Sequence, residues 1–145
     1  DMISKVSDLY QLLVNEILSD IEMGKDIKAY PQKEQDASYS LWRDEDDYQI
    51  DWNQSSSYIK RFVDTLGFPF LGAYSSIYGR KIRIFDVEIK EDVELVIRTN
   101  GKVLFLDDDY PVVVCGKGLL TITNAIYDDT KESIFPLHKF RTRFS

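Results

Sequence analysis

The second half of the chain is a succession of short apolar segments separated by turn residues, and this pattern limits the possible folds most. Strands are predicted at 73–77, 81–90, 93–98, 103–106, 112–115 and 119–125. Asn100-Gly101 and Gly116-Lys117-Gly118 supply tight turns between neighbouring strands. Five or six short strands with close turns are typical of a small barrel or sandwich, and we expect an open barrel of the oligonucleotide-binding type.

A helix is predicted over residues 4–23, ahead of the strands. Its apolar positions recur at spacings of three and four and form one face, made of Val6, Leu9, Tyr10, Leu13, Ile17 and Ile21. We expect Ser4 or Ser7 to cap its start, and Gly24 stands where a left-handed residue would end it. An apolar face of this kind needs a cover, and a second copy of the chain could supply one in a homodimer.

A second helix is predicted over residues 55–66, with Ser55 or Ser56 as its cap and Gly67 at its end. Its apolar face consists of Ile59, Phe62, Val63 and Leu66. Between the helices, residues 25–54 carry many acidic and aromatic side chains without a sustained period, which predicts a long connecting loop. The predicted fold class is therefore α+β: two helices with a long connecting loop, followed by a small open β-barrel.

Composition and charge exclude several classes of function. The chain of 145 residues has a formal net charge of -7 at pH 7, whereas a general nucleic-acid surface needs Lys and Arg to neutralise phosphates. We interpret the basic cluster Lys139, Arg141 and Arg143 as a solvated tail. No apolar run is long enough for a bilayer and no segment reads as a secretory signal, so we expect a cytoplasmic location and no membrane partner.

The residue types that catalyse reactions or bind metals are scarce. His138 is the single histidine and no Gly-x-Ser-x-Gly elbow accompanies it, so we assign it a structural or surface role. Cys115, the single cysteine, lies in an apolar run and is predicted to be a buried core thiol. The acidic runs 44–47 and 107–109 lack calcium-loop spacing and are interpreted as solvated turns. The sequence predicts no catalytic residue and no metal site in this chain.

A resemblance to a known family rests on the order of motifs between residues 35 and 73. Gln-Asp-Ala-Ser-Tyr-Ser-Leu-Trp-Arg at 35–43 is followed by Ile50-Asp51-Trp52, a capped helix and Pro69-Phe70-Leu71-Gly72-Ala73. This order is similar to the junction and C-terminal domain of the folate-dependent formyltransferases. The methionyl-tRNA formyltransferases among them show Ala-Thr-Tyr-Ala-x-Lys, Ile-Asp-Trp, a helix and Pro-x-Pro-Gly-Ala. Each motif is short, but their order and spacing are specific, and the resemblance covers residues 5–125.

The resemblance implies that catalysis and folate binding take place in a separate domain, whose motifs are not found in this sequence. In that family an Asn-x-His pair and a distant Asp lie on an N-terminal Rossmann-like domain, which also binds formyl-tetrahydrofolate. None of those motifs occurs here. Residues 1–54 are therefore expected to be the bridging helix and loop from the absent catalytic domain, and residues 55–145 the C-terminal β-barrel-like domain. The chain is expected to hold no cofactor, to be inactive by itself, and to have that catalytic domain of the same protein as its partner.

Departures from the tRNA enzymes suggest a different acceptor for the formyl group. The chain is acidic, it carries Trp42-Arg43 where those enzymes have a Lys-rich stretch, and residues 36–43 look more like the sugar N-formyltransferases. We therefore expect the acceptor to be the amino group of a nucleotide-linked deoxysugar, with no nucleic acid bound. Two alternatives stay open: the C-terminal domain of a methionyl-tRNA formyltransferase, and a stand-alone barrel module for binding or dimerisation.

Tyr39, Trp42 and Arg43 are the candidate substrate-binding residues under this resemblance. The two aromatic rings could pack against a sugar or a base, and the Arg43 guanidinium could pair with a phosphate or carboxylate. The competing interpretation is that Tyr39, Trp42 and Trp52 only attach the long loop to a core.

Overall fold

The computed structural model describes the backbone of residues 2–145 and the side chains of residues 5–145. The chain divides into two compact units, residues 1–41 and residues 42–145. The first unit contains one helix and the start of the long loop, and the second contains the other helix and all of the strands. Among the described residues, no helix combines the length and the apolar character needed to cross a membrane.

Helix α1 spans Met2–Glu22 and begins earlier than the sequence suggested. The prediction that Ser4 or Ser7 caps it is wrong, because the helix already runs through both positions. The predicted end is confirmed: Gly24 has φ +69° and its amide donates a 3.0 Å hydrogen bond to the carbonyl oxygen of Ile21. The predicted apolar face of α1 is exposed, with between 43% and 67% of each side chain accessible.

The long connecting loop between the helices is confirmed, and it contains two single 3₁₀ turns, Glu34–Asp36 and Asp46–Tyr48. Asp44 stabilises the second turn, because its carboxylate accepts hydrogen bonds from the amides of Asp46 and Asp47. The acidic run 44–47 is therefore a turn, as predicted.

Helix α2 spans Ser56–Leu66, within one residue of the prediction. Ser55 is the cap, since its Oγ accepts a 3.2 Å hydrogen bond from the Tyr58 amide. The buried face consists of Ile59, Val63 and Leu66, which pack on the sheet, while Phe62 is partly exposed at the edge of this face.

Five antiparallel strands follow: β1 Ala73–Ile77, β2 Arg80–Lys90, β3 Val103–Asp107, β4 Tyr110–Val114 and β5 Leu119–Tyr127. Their order in the sheet is β1-β2-β5-β4-β3, so β1 and β3 are the two edges and the barrel stays open, as predicted. The register between β2 and β5 shifts between Ile84 and Asp86. This bulge explains why the apolar alternation along β2 is imperfect.

The strand predicted at 93–98 is wrong, because this segment is a loop organised around Arg98. The guanidinium of Arg98 donates to the Asp92 carboxylate at 2.6 Å and to the carbonyl oxygen of Cys115 at 2.8 Å. The apolar side chains of Val96 and Ile97 point into solvent instead of pairing with a neighbouring strand. Contacts of the partly buried Arg98 side chain stand in place of the strand pairing that the apolar run suggested.

The core of the second unit lies between α2, the sheet and two segments, one before α2 that contains Trp52 and one after β5 that contains Phe144. Trp52 is 5% exposed and its Nε1 donates a 3.1 Å hydrogen bond to Ser75 Oγ. The rings of Trp52 and Phe144 lie 5.7 Å apart. Cys115 is fully buried, as predicted, and burial raises the pKa of its thiol to about 12.

The segment that follows β5 is attached to the sheet, so the prediction of a solvated tail is only half right. The side chains of Lys139, Arg141 and Arg143 are exposed. However, the amide of Val103 donates to the carbonyl oxygen of Thr142 at 3.0 Å, and Phe144 is 1% exposed. The buried ring of Phe144 holds this segment against the sheet, although its composition alone predicts a solvated tail.

Candidate functional site

The predicted site residues lie in both compact units. Tyr39 belongs to the first, where its side chain is 83% exposed and its hydroxyl donates to the Glu34 carboxylate. That hydrogen bond raises the pKa of Tyr39. Trp42 and Arg43 belong to the second unit, and the side chain of Trp42 is completely exposed. Of the three aromatic residues considered as attachments to a core, only Trp52 is buried.

Arg43 lines a cavity of about 290 Å³ on the outer side of α2. Its other lining residues are Tyr58, Arg61, Phe62 and Thr65, all contributed by α2. Positions separated by three, four and seven residues share one side of a helix, which is why these four side chains converge. The cap at Ser55 and the buried face of α2 fix the helix, and thereby fix the orientation of this outer side.

Two stacked rings form the apolar part of this cavity. The rings of Tyr58 and Phe62 are 6.5 Å apart and inclined by 13°, which is a stacked arrangement. Tyr58 is 48% exposed, so one part of its ring is open to a planar ligand. Thr65 closes the end of the row, and its hydroxyl donates a 2.7 Å hydrogen bond to the Arg61 carbonyl oxygen.

Two of the residues that line the cavity, Arg43 and Arg61, are arginines. Within residues 5–145, neither Arg43 nor Arg61 donates a side-chain hydrogen bond or forms an ion pair. Other arginines in the same unit are engaged: Arg80 bonds Asp129 at 2.7 Å and Arg98 bonds Asp92 at 2.6 Å. Although the chain has a net charge of -7, these two guanidinium groups line one cavity and could each pair with an anion.

The sequence analysis proposes Arg43 as a binding residue of the loop 35–43, and it gives Arg61, Tyr58 and Phe62 no binding role. The sequence places Phe62 on the apolar face of the second helix. The helical spacing of Tyr58, Arg61, Phe62 and Thr65 is the sequence signal for this cavity, because it places aromatic and basic side chains on one side of α2.

The side chains that line this cavity are of types that bind anions and planar rings. Two guanidinium groups can pair with phosphate or carboxylate oxygens, and the Tyr58 ring can stack with a base. Among the residues that line this cavity, no nucleophile stands beside a base that could activate it.

The family of the chain follows from comparison with known proteins. Residues 43–134 match the model of the formyl transferase C-terminal domain. Similar curated proteins include the methionyl-tRNA formyltransferase of Nitrosomonas europaea, 31% identical over 81% of this chain and 36% of that protein. The methionyl-tRNA formyltransferase of Pseudoalteromonas translucida is 27% identical over 83% of this chain and 37% of that protein. The chain thus spans little more than a third of the length of these relatives.

Solved structures agree with the same assignment. HypX from Aquifex aeolicus, in a complex with tetrahydrofolic acid, matches with a TM-score of 0.63 and 27% identity, covering 83% of this chain and 20% of that one. A variant of the same protein matches with a TM-score of 0.66 and 26% identity over 88% of this chain and 23% of that one. The open five-stranded sheet, the capped helix before it and the match over residues 43–134 together show that this chain belongs to the formyl transferase C-terminal domain family.

Proposed function

We propose that this chain is the C-terminal part of an enzyme that transfers a formyl group from formyl-tetrahydrofolate to methionyl-tRNA, and that the α2 cavity contacts the tRNA. The sequence analysis expects a nucleotide-linked deoxysugar as the acceptor and leaves methionyl-tRNA open as an alternative. We prefer methionyl-tRNA. The curated relatives reported above are methionyl-tRNA formyltransferases, and the nucleotide-linked sugar gains no support from them. The α2 cavity supplies the physical reason why an acidic chain can still hold RNA.

The observation that carries the proposal is that Arg43 and Arg61, which have no bonded partner among the described side chains, line one cavity with the stacked rings of Tyr58 and Phe62. Phosphate pairs with guanidinium through two parallel hydrogen bonds, and an unstacked base can lie on an aromatic ring. Net charge describes the whole surface, whereas RNA contacts only one face. Acidic side chains in ion pairs with lysine or arginine, such as Glu45 and Asp92, repel a polyanion less than free ones would.

The formyl chemistry belongs to the N-terminal catalytic domain that the resemblance implies. The folate donor would bind there, and the amino group of the methionyl residue would attack the formyl carbon there. Residues of this chain would instead hold the body of the acceptor. By itself the chain is expected to give no turnover, and the cytoplasm, where charged tRNA is made and used, stays the expected location.

The acceptor is tested with the full-length protein that contains this chain, supplied with formyl-tetrahydrofolate. Methionine-charged initiator tRNA and nucleotide-linked amino sugars are offered in parallel, and the 145-residue chain is assayed alone as a control. Formylation of the tRNA by the long form only is the expected result. Formylation of a sugar in its place would overturn the proposal, and so would transfer to neither acceptor.

The role of the α2 cavity is tested with Arg61→Ala and Arg43→Ala. Each variant should raise the KM for tRNA by about threefold to tenfold with little change in kcat, because a binding contact is lost. The plot of log binding constant against log salt concentration should lose about 0.7–0.9 of slope for each phosphate contact removed. Arg80→Ala is the matched control, since that guanidinium is already bonded to Asp129. Equal effects in all three variants would contradict a specific role for this cavity.

A further inference from the structure

A cavity of about 330 Å³ lies at the start of α2 and shares no residue with the α2 cavity. We call it the helix-start cavity. One part of its lining is the cap and first turn of α2, and the other part comes from the end of β2, the loop after it and the turn before β5. The lining residues are Ser55, Ser56, Ser57, Lys90, Asp92, Lys117 and Gly118. The volume lies near the lower end of the range of about 300–1,000 Å³ that small-molecule sites occupy.

The first turn of α2 leaves one backbone amide without an acceptor. The Ser56 amide donates to the carbonyl oxygen of Lys117 at 2.8 Å, and the Tyr58 amide donates to Ser55 Oγ at 3.2 Å. The Ile59 amide donates to the Ser55 carbonyl oxygen at 3.0 Å. Among the described residues, the Ser57 amide between them has no acceptor. An unused amide at the positive end of a helix dipole favours an anion.

The Ser56 hydroxyl is a second unused donor, and it is nearly buried. Ser56 is 7% exposed, and its side chain forms no hydrogen bond with a described residue. Within residues 5–145, three side-chain atoms lack both a partner and accessible surface, and the Ser56 hydroxyl is not one of them. It therefore keeps accessible surface, which opens to the cavity that Ser56 lines. A nearly buried hydroxyl without a partner costs free energy, and a bound acceptor would remove that cost.

The turn before β5 lies directly against these two donors. A Cβ added to Gly118 would lie 2.2 Å from Ser56 Oγ, so the backbone of the turn touches the hydroxyl. The 2.8 Å bond from the Ser56 amide holds the Lys117 backbone beside the first turn of α2. The Lys117 side chain is exposed and forms no ion pair with a described residue. Its ammonium group is therefore a third donor, tethered next to Ser56 and Ser57.

The other charges that line the cavity are already compensated. Lys90 forms an ion pair with Asp107. The two carboxylate oxygens of Asp92 accept from the Arg98 guanidinium at 2.6 Å and from a backbone amide at 3.0 Å. A carboxylate engaged in this way repels an anion less than a free one would. The positive charge of Lys117 is therefore the one left over, and the lining favours an anionic ligand.

We propose that the helix-start cavity binds a phosphate group with three free oxygens, as in a phosphate monoester or inorganic phosphate. The Ser57 amide, the Ser56 hydroxyl and the Lys117 ammonium group would each donate to one oxygen. A phosphate diester, such as the backbone of RNA, has two free oxygens and a single charge, so it would leave one of these donors unused. This site is separate from the α2 cavity, and the inference does not rest on which acceptor receives the formyl group.

The ligand class is tested by titrating the 145-residue chain with inorganic phosphate, methyl phosphate and dimethyl phosphate. The amide resonances of Ser57 and Gly118 in nitrogen-15 spectra report binding at this site. At about pH 7.5 the first two ligands are mostly dianions, and comparison between them distinguishes a free ion from an ester. We expect both to bind, and dimethyl phosphate to bind about tenfold or more weaker, because it lacks one charge and one free oxygen.

Two variants remove one donor each. Ser56→Ala should lower the affinity for methyl phosphate about threefold to tenfold and leave the fold intact, because Ser55 is the cap of α2 and the Ser56 hydroxyl bonds no described residue. Lys117→Gln should lower it about tenfold. Lys139→Gln is the control and should leave it unchanged. Lys139 is also exposed, but its amide bonds the hydroxyl of Tyr78 just before β2, whereas the cavity lies at the other end of that strand.

The proposal is overturned if neither inorganic phosphate nor methyl phosphate shifts the Ser57 amide, or if dimethyl phosphate binds as tightly as methyl phosphate. An unchanged affinity in Ser56→Ala, or equal losses in the two lysine variants, would overturn it too. Arg61→Ala should leave the shifts at Ser57 as they are, and their loss would place the ligand in the α2 cavity instead. None of these outcomes depends on the formyl acceptor, so the two proposals can fail separately.

Discussion

Gly101 and Phe144 approach so closely that a Cβ added to Gly101 would lie 2.2 Å from the Phe144 carbonyl oxygen. The same two residues are joined by a 2.7 Å hydrogen bond from the Phe144 amide to the Gly101 carbonyl oxygen. Gly101 also has φ +78°, a region that other residues avoid. Contact between these two backbones fixes the last segment of the described chain against the turn before β3.

Gly101→Ala should therefore be among the most damaging single substitutions in the second unit. The left-handed φ and the clash with backbone together predict a loss of about 2–4 kcal/mol of unfolding free energy. Gly79→Ala is the control, because Gly79 has φ +74° but nothing within 4 Å of an added Cβ. It should lose only about 1–2 kcal/mol, from conformation alone. Chemical denaturation measures both, and equal losses would show that the Gly101–Phe144 contact yields without cost.

The thiol of Cys115 should be unreactive in the folded protein. Its pKa of about 12 means that on the order of one thiol in 100,000 is ionised at pH 7, and the side chain is fully buried. Ellman's reagent should label no cysteine under native conditions and one per chain in denaturant. Rapid native labelling would mean that β4 opens far more readily than its burial indicates.

The cap of α2 offers a test of local stability. Ser55→Ala removes the acceptor for the Tyr58 amide and should cost about 1 kcal/mol. Ser57→Ala is a suitable control, because the Ser57 hydroxyl bonds Ser55 and no helix amide. Because α2 carries the cavity, the Ser55 variant should also weaken tRNA binding more than the Ser57 variant does. Thermal melts and binding assays on the same samples separate the two effects.

Much of the fold could be predicted because local signals agree with the final packing. The periodic apolar face of α2 is the face that lies on the sheet, and β1 has the predicted bounds. The prediction of a strand at 93–98 was wrong because an apolar run does not reveal that Arg98 binds Asp92 and the Cys115 carbonyl oxygen. The prediction of a solvated tail at 139–143 was only half right for a similar reason. The attachment of this segment depends on the packing of Phe144 beside Trp52, which no local pattern reveals.

The candidate sites were harder to predict than the fold, because they depend on which charges remain unpaired. In the sequence Arg83 and Arg61 look alike. In the structure Arg83 is 5% exposed and bonds Glu45, which lies 38 positions earlier in the chain, whereas Arg61 has no such partner among the described side chains. Pairing over such distances follows from tertiary structure, and no local pattern encodes it.

The ion-pair network around Arg83 predicts how stability depends on pH. Bonds from Lys81 and Arg83 lower the pKa of Glu45 from 4.5, and bonds from Lys131 and Arg83 lower that of Asp128 from 3.8. A carboxylate with a lowered pKa in the folded state stabilises the fold above its unfolded pKa and loses this effect as pH falls. Unfolding free energy should thus be level near neutral pH and decrease as pH falls below about 4.5, through the still lower folded pKa values.

Glu45→Gln should make this acid dependence shallower, because one of the two carboxylates bonded to Arg83 is gone. Its cost at pH 7 should be about 0.5–1 kcal/mol, since the Glu45 side chain is 44% exposed and solvent screens the pair. Glu94→Gln makes the same change in net charge at an exposed position with no ion pair among the described side chains, and it should leave the acid slope nearer to that of the parent. Denaturation curves collected between pH 3 and pH 7 decide the matter. Identical slopes for parent and Glu45→Gln would mean that other carboxylates carry the acid sensitivity, so that the bonds from Lys81 and Arg83 to Glu45 do not stabilise this unit.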